Sequence, residues 1–89
     1  MRTSNDWSAE NGLTAGMKAA IALARKDAGL TQEQCAEGAG MGQASDWSNL
    51  ERRAGTATIS PQRWAIVADV LGVTERALLT AALAIDSSQ

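Results

Sequence analysis

Eighty-nine residues can enclose one hydrophobic core but not two, so a single small domain is expected. Eight Lys and Arg against ten Asp and Glu leave a net charge of −2, and the chain has no His, which removes the commonest general base and a leading metal ligand. Hydrophobic residues make up 45% with neither Phe nor Tyr, so the core must be aliphatic with tryptophan as its only aromatic.

Ala-rich segments with few β-branched residues favour helix. No stretch alternates at period two, and no hairpin turn separates two strand-like runs, so the expected fold class is all-α. A single Cys forms no internal disulfide. Cys35, flanked by Glu33 and Glu37, lacks the basic neighbourhood that activates a thiol and reads as core filler. One Cys and scattered carboxylates make no metal-ligand spacing, and there is no Gly-rich phosphate loop with its Lys. Neither catalysis nor a cofactor is expected. No charged, then apolar, then small-residue leader pattern is seen, so no secretory signal is expected, and no apolar run approaches the roughly 20 residues that span a bilayer. A cytoplasmic protein without a membrane partner is the expectation.

In chain order, residues 1–12 are polar and lack apolar periodicity, which predicts a mobile arm; Trp7 within it is a candidate to dock onto the body or to touch a partner. A first helix is predicted from Thr14 to Ala28, with Met17, Ala20, Ile21, Ala24 and Ala28 facing inward and Arg25 and Lys26 at the negative end of its dipole. Gly29 suits the left-handed residue after it. Thr31 and Gln34 form a capping box that opens a second helix, Gln32 to Ala39, burying Cys35, Ala36 and Ala39. Gly40 and Gly42 mark a sharp turn. A third helix, Gln43 to Arg53, buries Trp47 and Leu50. The pair reads as a helix-turn-helix or as an ordinary helical hairpin, and spacing alone leaves both open. Ser60 caps a fourth helix with Pro61 at its first position, Trp64, Val67, Ala68 and Leu71 inside, and Gly72 at its end. Thr74 caps a fifth, roughly Glu75 to Ile85, that is apolar nearly all round. A helix apolar on every side asks for burial on every side, so Leu79, Leu83 and Ile85 are assigned to a homodimer interface. The alternative is packing on one face with small Ala residues left exposed.

The runs Leu23-Ala24-Arg25-Lys26, Gly29-Leu30-Thr31-Gln32-Glu33-Gln34, Ala36-Glu37, Gly40-Met41 and Trp47-Ser48-Asn49-Leu50-Glu51-Arg52 resemble the lambda-repressor/Cro-type helix-turn-helix family. Trp64, Val67-Ala68 and Leu71-Gly72-Val73 are similar to that family's fourth helix and its exit into a fifth, so the resemblance covers roughly Ala19 to Leu79. It implies five helices, the third in the major groove of double-stranded DNA, and transcriptional control by a dimer; with the apolar fifth helix, the expectation is a lambda-repressor-like domain over residues 13–89 whose last helix dimerises, a repressor reading a near-palindromic operator. The chain departs from the family's pattern twice. It carries one residue more between Gly40 and Leu50, which leaves the base-reading register open by one position, and Arg53-Ala54 intervene before Gly55.

By that resemblance Gln32 hydrogen-bonds the DNA backbone from the start of the second helix, a natural phosphate site. Gln43, Ala44 and Ser45 correspond to the base-reading start of the third helix; Gln pairs bidentately with adenine. Ser48 and Asn49 lie one turn later, within reach of bases or phosphates. Arg52 and Arg53, with Arg25, Lys26 and Arg63, are expected to gather as a basic rim. Glu51 is a candidate to hold an arginine. Asp46 reads as a cap or a solvent-facing residue. The charge over residues 31–53 is −2, which favours the alternative function, a regulatory protein partner bound by an antirepressor or adaptor on the same fold.

Overall fold

The computed structural model describes residues 14–52 and 59–88. Five helices follow one another there: α1 Ala15–Asp27, α2 Gln32–Gly38, α3 Ala44–Glu51, α4 Pro61–Leu71 and α5 Glu75–Ser87, with no strand among the described residues. The predicted arm, Trp7, Arg53 and the loop up to residue 58 lie outside the described residues.

Local chemistry sets the helix starts. The Thr31 hydroxyl accepts from the Gln34 N–H at 3.0 Å while the Gln34 side chain accepts from the Thr31 N–H at 2.8 Å, the reciprocal box that the spacing predicts. Thr14, Ser60 and Thr74 accept from the N–H three residues on in the same way, and Pro61 takes the first position of α4. After α2 the chain reverses at Gly40, whose φ of +74° is left-handed backbone that a side chain resists. That geometry lets the Met41 N–H reach the Ala36 carbonyl at 2.8 Å.

One core joins all five helices. Ile21, Cys35, Trp47, Trp64, Val67 and Ala82 sit at its centre, each almost fully buried. Ala28, expected inside, is exposed, while Ala24 and Ala39 are partly buried against the core. Trp47 and Trp64 both lie inside, as their apolar stripes require.

The helix α3 is shorter than predicted at both ends. Gln43 has extended backbone (φ −144°, ψ 153°), and its N–H donates to the Asp46 carboxylate at 3.3 Å, so Asp46 serves the helix start. At the other end Arg52 turns out of the helix (ψ 119°), and its carbonyl accepts from Lys18 Nζ at 2.8 Å. Lys18 is only 3% exposed; its ammonium reaches this carbonyl from α1 and ties α3 down.

α5 runs two residues past its predicted end, and the reason lies on α1. The Thr14 hydroxyl donates to Asp86 Oδ2 at 2.6 Å, and the Gly16 N–H donates to Asp86 Oδ1 at 2.8 Å. α1 has no acidic residue in its own first turn. Asp86 therefore supplies the negative charge that favours the positive end of the α1 dipole. The beginning of α1 thus meets the end of α5, and the two helices run antiparallel along the most extensive helix pair in the fold.

Gly16 is what allows the close approach. A Cβ there would fall on the Ala82 carbonyl oxygen and lie 2.6 Å from the Asp86 carboxyl carbon. Gly16→Ala should therefore push α5 off α1, at a cost near the upper end of the roughly 1–3 kcal/mol typical of overpacking. In a domain of this size, each kcal/mol lowers the melting temperature by roughly 4–8 °C. A Gly16→Ala variant that melts with wild type would show that the two backbones are not in contact.

Candidate functional site

The outer face of α3 is polar because its apolar residues are spent inward. Trp47 and Leu50 are buried, which leaves Ser45, Ser48 and Asn49, at i, i+3 and i+4, on a common face. Ser45 and Asn49 are exposed, and Ser48 is half-buried with its hydroxyl donating to the Ser45 carbonyl at 3.1 Å. Gln43 is exposed just before the helix, and its Oε1 accepts from the Ser45 hydroxyl at 3.3 Å. Ala44 is half-buried, and Arg52 is exposed just past the helix end. The fold thus brings Gln43, Ser45, Asn49 and Arg52 to the surface from one short helix and its flanks.

Glu51 is the hub behind that face. Its Oε2 accepts from Arg25 Nε at 2.7 Å and from the Trp47 indole N–H at 2.6 Å. Its Oε1 accepts from Arg25 Nη2 at 3.1 Å and from Gln32 Nε2 at 3.0 Å. One carboxylate therefore joins α1, α2 and α3 through four donors. Burial alone pushes the Glu51 carboxyl upward, but the hydrogen bonds from Arg25, Gln32 and Trp47, with the Arg25 charge, outweigh it and hold the group below its ordinary value. Arg25 is held above its ordinary value, first by its hydrogen bond to Glu51.

One sequence expectation changes here. Arg25 is not part of an outer basic rim: its guanidinium forks onto Glu51 and donates through Nη1 to the Leu30 carbonyl at 2.9 Å, with its side chain only 14% exposed. The arginine that Glu51 holds is this one, an internal ion pair. Gln32 lies half-buried at the start of α2 with its amide oriented by Glu51.

Beside the polar face, an open cleft of about 590 Å³ lies between the α2–α3 turn, α3 and the first turns of α4. Asp46 and Asn49 line it from α3, Met41 from the turn, and Arg63 and Ile66 from α4. Arg63 and Asn49 thus share one depression, although they stand on separate helices. The charge lining it is mixed, Asp46 against Arg63.

The other assigned residues divide. Leu79 and Ile85 are partly buried against the chain's own core, whereas Leu83 is 57% exposed. A single chain covers one face of α5 through Leu78 and Ala82, so the helix does not depend on a partner for all of its apolar surface. Cys35 is fully buried, and burial, opposed by the Arg25 charge, raises its thiol above the ordinary value. Among the described residues no three His, Cys, Asp or Glu cluster as metal ligands, and no helix is long and apolar enough to cross a membrane.

Sequence reasoning missed Asp86, Gly16 and Lys18. Gly16 was the legible signal, because a glycine inside a helix weakens it unless something must come close. Compared with protein-family models, curated proteins and solved structures, the chain matches none.

Proposed function

We propose that this protein is a cytoplasmic, sequence-specific DNA-binding regulator of the helix-turn-helix kind, acting as a dimeric repressor that presents α3 to the major groove. The observation that supports this most is the free polar face of Ser45, Ser48 and Asn49 on a helix whose opposite side is bonded to α1 and α2 through Glu51. A recognition element must be both exposed and held rigidly, since base contacts specify while phosphate contacts position. Gln32 and Arg52, at the edges of the same face, are the phosphate contacts in this reading. Two copies joined through the exposed Leu83 flank of α5 would set two such faces about one DNA turn apart, roughly 34–36 Å. Pairing also offsets the weak positive charge of one copy, because two modest sites acting together bind more tightly than one.

The test is selection of bound sequences from a random duplex pool, followed by titration at increasing salt. The expected result is an enriched near-palindrome whose affinity falls with salt as counterions are released. Gln43→Ala or Asn49→Ala should relax the preferred sequence, at about 1–3 kcal/mol for a lost bidentate pair. Arg52→Ala should weaken all sequences alike, and Leu83→Glu should lower affinity together with dimerisation. The low positive charge of this part of the chain, with Glu33, Glu37 and Asp46 all exposed, favours a second reading, a regulatory protein partner bound by the same fold. No enrichment at low salt would reject the first reading and leave that one.

A further inference from the structure

A groove of about 270 Å³ runs between α1 and α5 on the side away from Leu83. Ala20 and Ala24 line it from α1 and Ala77 and Ala81 from α5, and Leu23, which also lines it, is 55% exposed. Among its described lining residues Asp27 alone carries a charge. We propose that this groove is the docking site of residues 1–13 of the same chain, with Trp7 covering its alanines and Arg2 meeting Asp27.

Three observations converge on that occupant. The first is the tether. Residue 13 joins the body at Thr14, which is bonded to Asp86, next in sequence to the groove residue Ile85. The segment therefore starts at one end of the groove. The second is reach. Trp7 lies seven positions before Thr14, and an extended chain covers up to roughly 23–25 Å over that span. The thirteen-residue rise from Thr14 to Asp27 along α1 is roughly 20 Å, so Trp7 reaches any point of the groove. The third is complementarity. Trp47 and Trp64, 0% and 1% exposed, are committed to the core, and Trp7 is the one other aromatic in the sequence. An aromatic of this size buries about 150–250 Å² when covered. With the chain running back from Thr14 towards Asp27, Arg2 falls at the acidic end, beyond Asp6 and Glu10. Ala81 and Leu83 stand two residues apart and so project from nearly opposite sides of α5. Docking on the Ala81 side leaves the Leu83 flank open, and the proposal is independent of DNA binding.

The core tryptophans make the experiment clean, because both are shielded and acrylamide quenching of the full chain reports Trp7. The expected result is a quenching constant several-fold below that of a peptide of residues 1–13, rising to the peptide's value in Leu23→Lys and in Ala81→Glu. Both substitutions fall at exposed positions, and circular dichroism melting would confirm that each variant remains folded. Quenching equal to the peptide's in the wild-type chain would overturn the proposal. So would shielding that neither groove variant relieves, which would place Trp7 elsewhere. Shielding that develops only as concentration drives the chain into dimers would also overturn it, and would give the groove to a second copy.

Discussion

Glu51→Ala is expected to destabilise the domain by about 3–5 kcal/mol, the range for breaking a buried ion pair by removing one partner. The loss is large because three donors are stranded together. The Arg25 guanidinium keeps its charge in a largely enclosed site, and the Trp47 indole N–H and the Gln32 amide lose their acceptor. Small domains have only about 5–15 kcal/mol of stability in all, so such a variant stands near unfolding. Urea denaturation at neutral pH measures the effect directly. A cost below about 1 kcal/mol would place the carboxylate with the surface ion pairs, which contribute little.

The same group gives the stability a defined pH dependence. The folded-state pKa of Glu51 lies below its ordinary value of 4.5. Below both values the folded and unfolded chains bind the same proton, so the carboxylate contributes nothing. Its contribution is complete above 4.5 and is lost as pH falls through the depressed folded value. Denaturation midpoints of wild type should therefore fall in acid more steeply than those of Glu51→Gln. Parallel curves for the two proteins would remove Glu51 from the acid response.

Trp47→Ala should cost a similar amount, about 3–5 kcal/mol, because it deletes a fully buried aromatic from the centre of the core. Trp47→Phe separates the two parts of that cost: it retains most of the packing while removing the indole donor to Glu51. Since Trp47 and Glu51 share a hydrogen bond, Trp47→Ala and Glu51→Ala combined should cost less than the sum of the single changes. Thermal melting of these three single variants and the double variant tests both points. A Trp47→Ala protein that melts like wild type but fails to bind selected DNA would make Trp47 a contact residue on the outer face.

The helix starts were legible because their causes act over three or four residues. Thr31, Ser60 and Thr74 each cap the N–H three positions on, and Gly40 and Gly72 reverse the chain with positive φ, all as the local pattern predicts, whereas Thr14, read as the first residue of its helix, caps it instead. The inner stripes of α3 and α4 were equally plain, since period alone places Trp47, Leu50, Trp64, Val67, Ala68 and Leu71 on their buried faces. The candidate face on α3 follows as the remainder of that helix. The role of Arg25 did not follow. From the sequence it is one more cation in a last helical turn, and only the packing of α1 on α3 turns it inward.

What the sequence determined by itself was therefore an all-helical chain of five helices, the starts of α2, α4 and α5, and the residues most of the helices bury. Tertiary structure decided how the surfaces left over are used. Arg25 and Glu51 are 26 residues apart, Lys18 and Arg52 are 34 apart, and Thr14 and Asp86 are 72 apart. No local periodicity links such residues, because their distances depend on how whole helices settle against one another. The end of α3, the extension of α5 to Ser87 and the need for Gly16 all follow from those long-range bonds. The apolar excess of α5 is the plainest case: its sequence shows how much apolar surface there is, and packing on α1 decides which part stays uncovered.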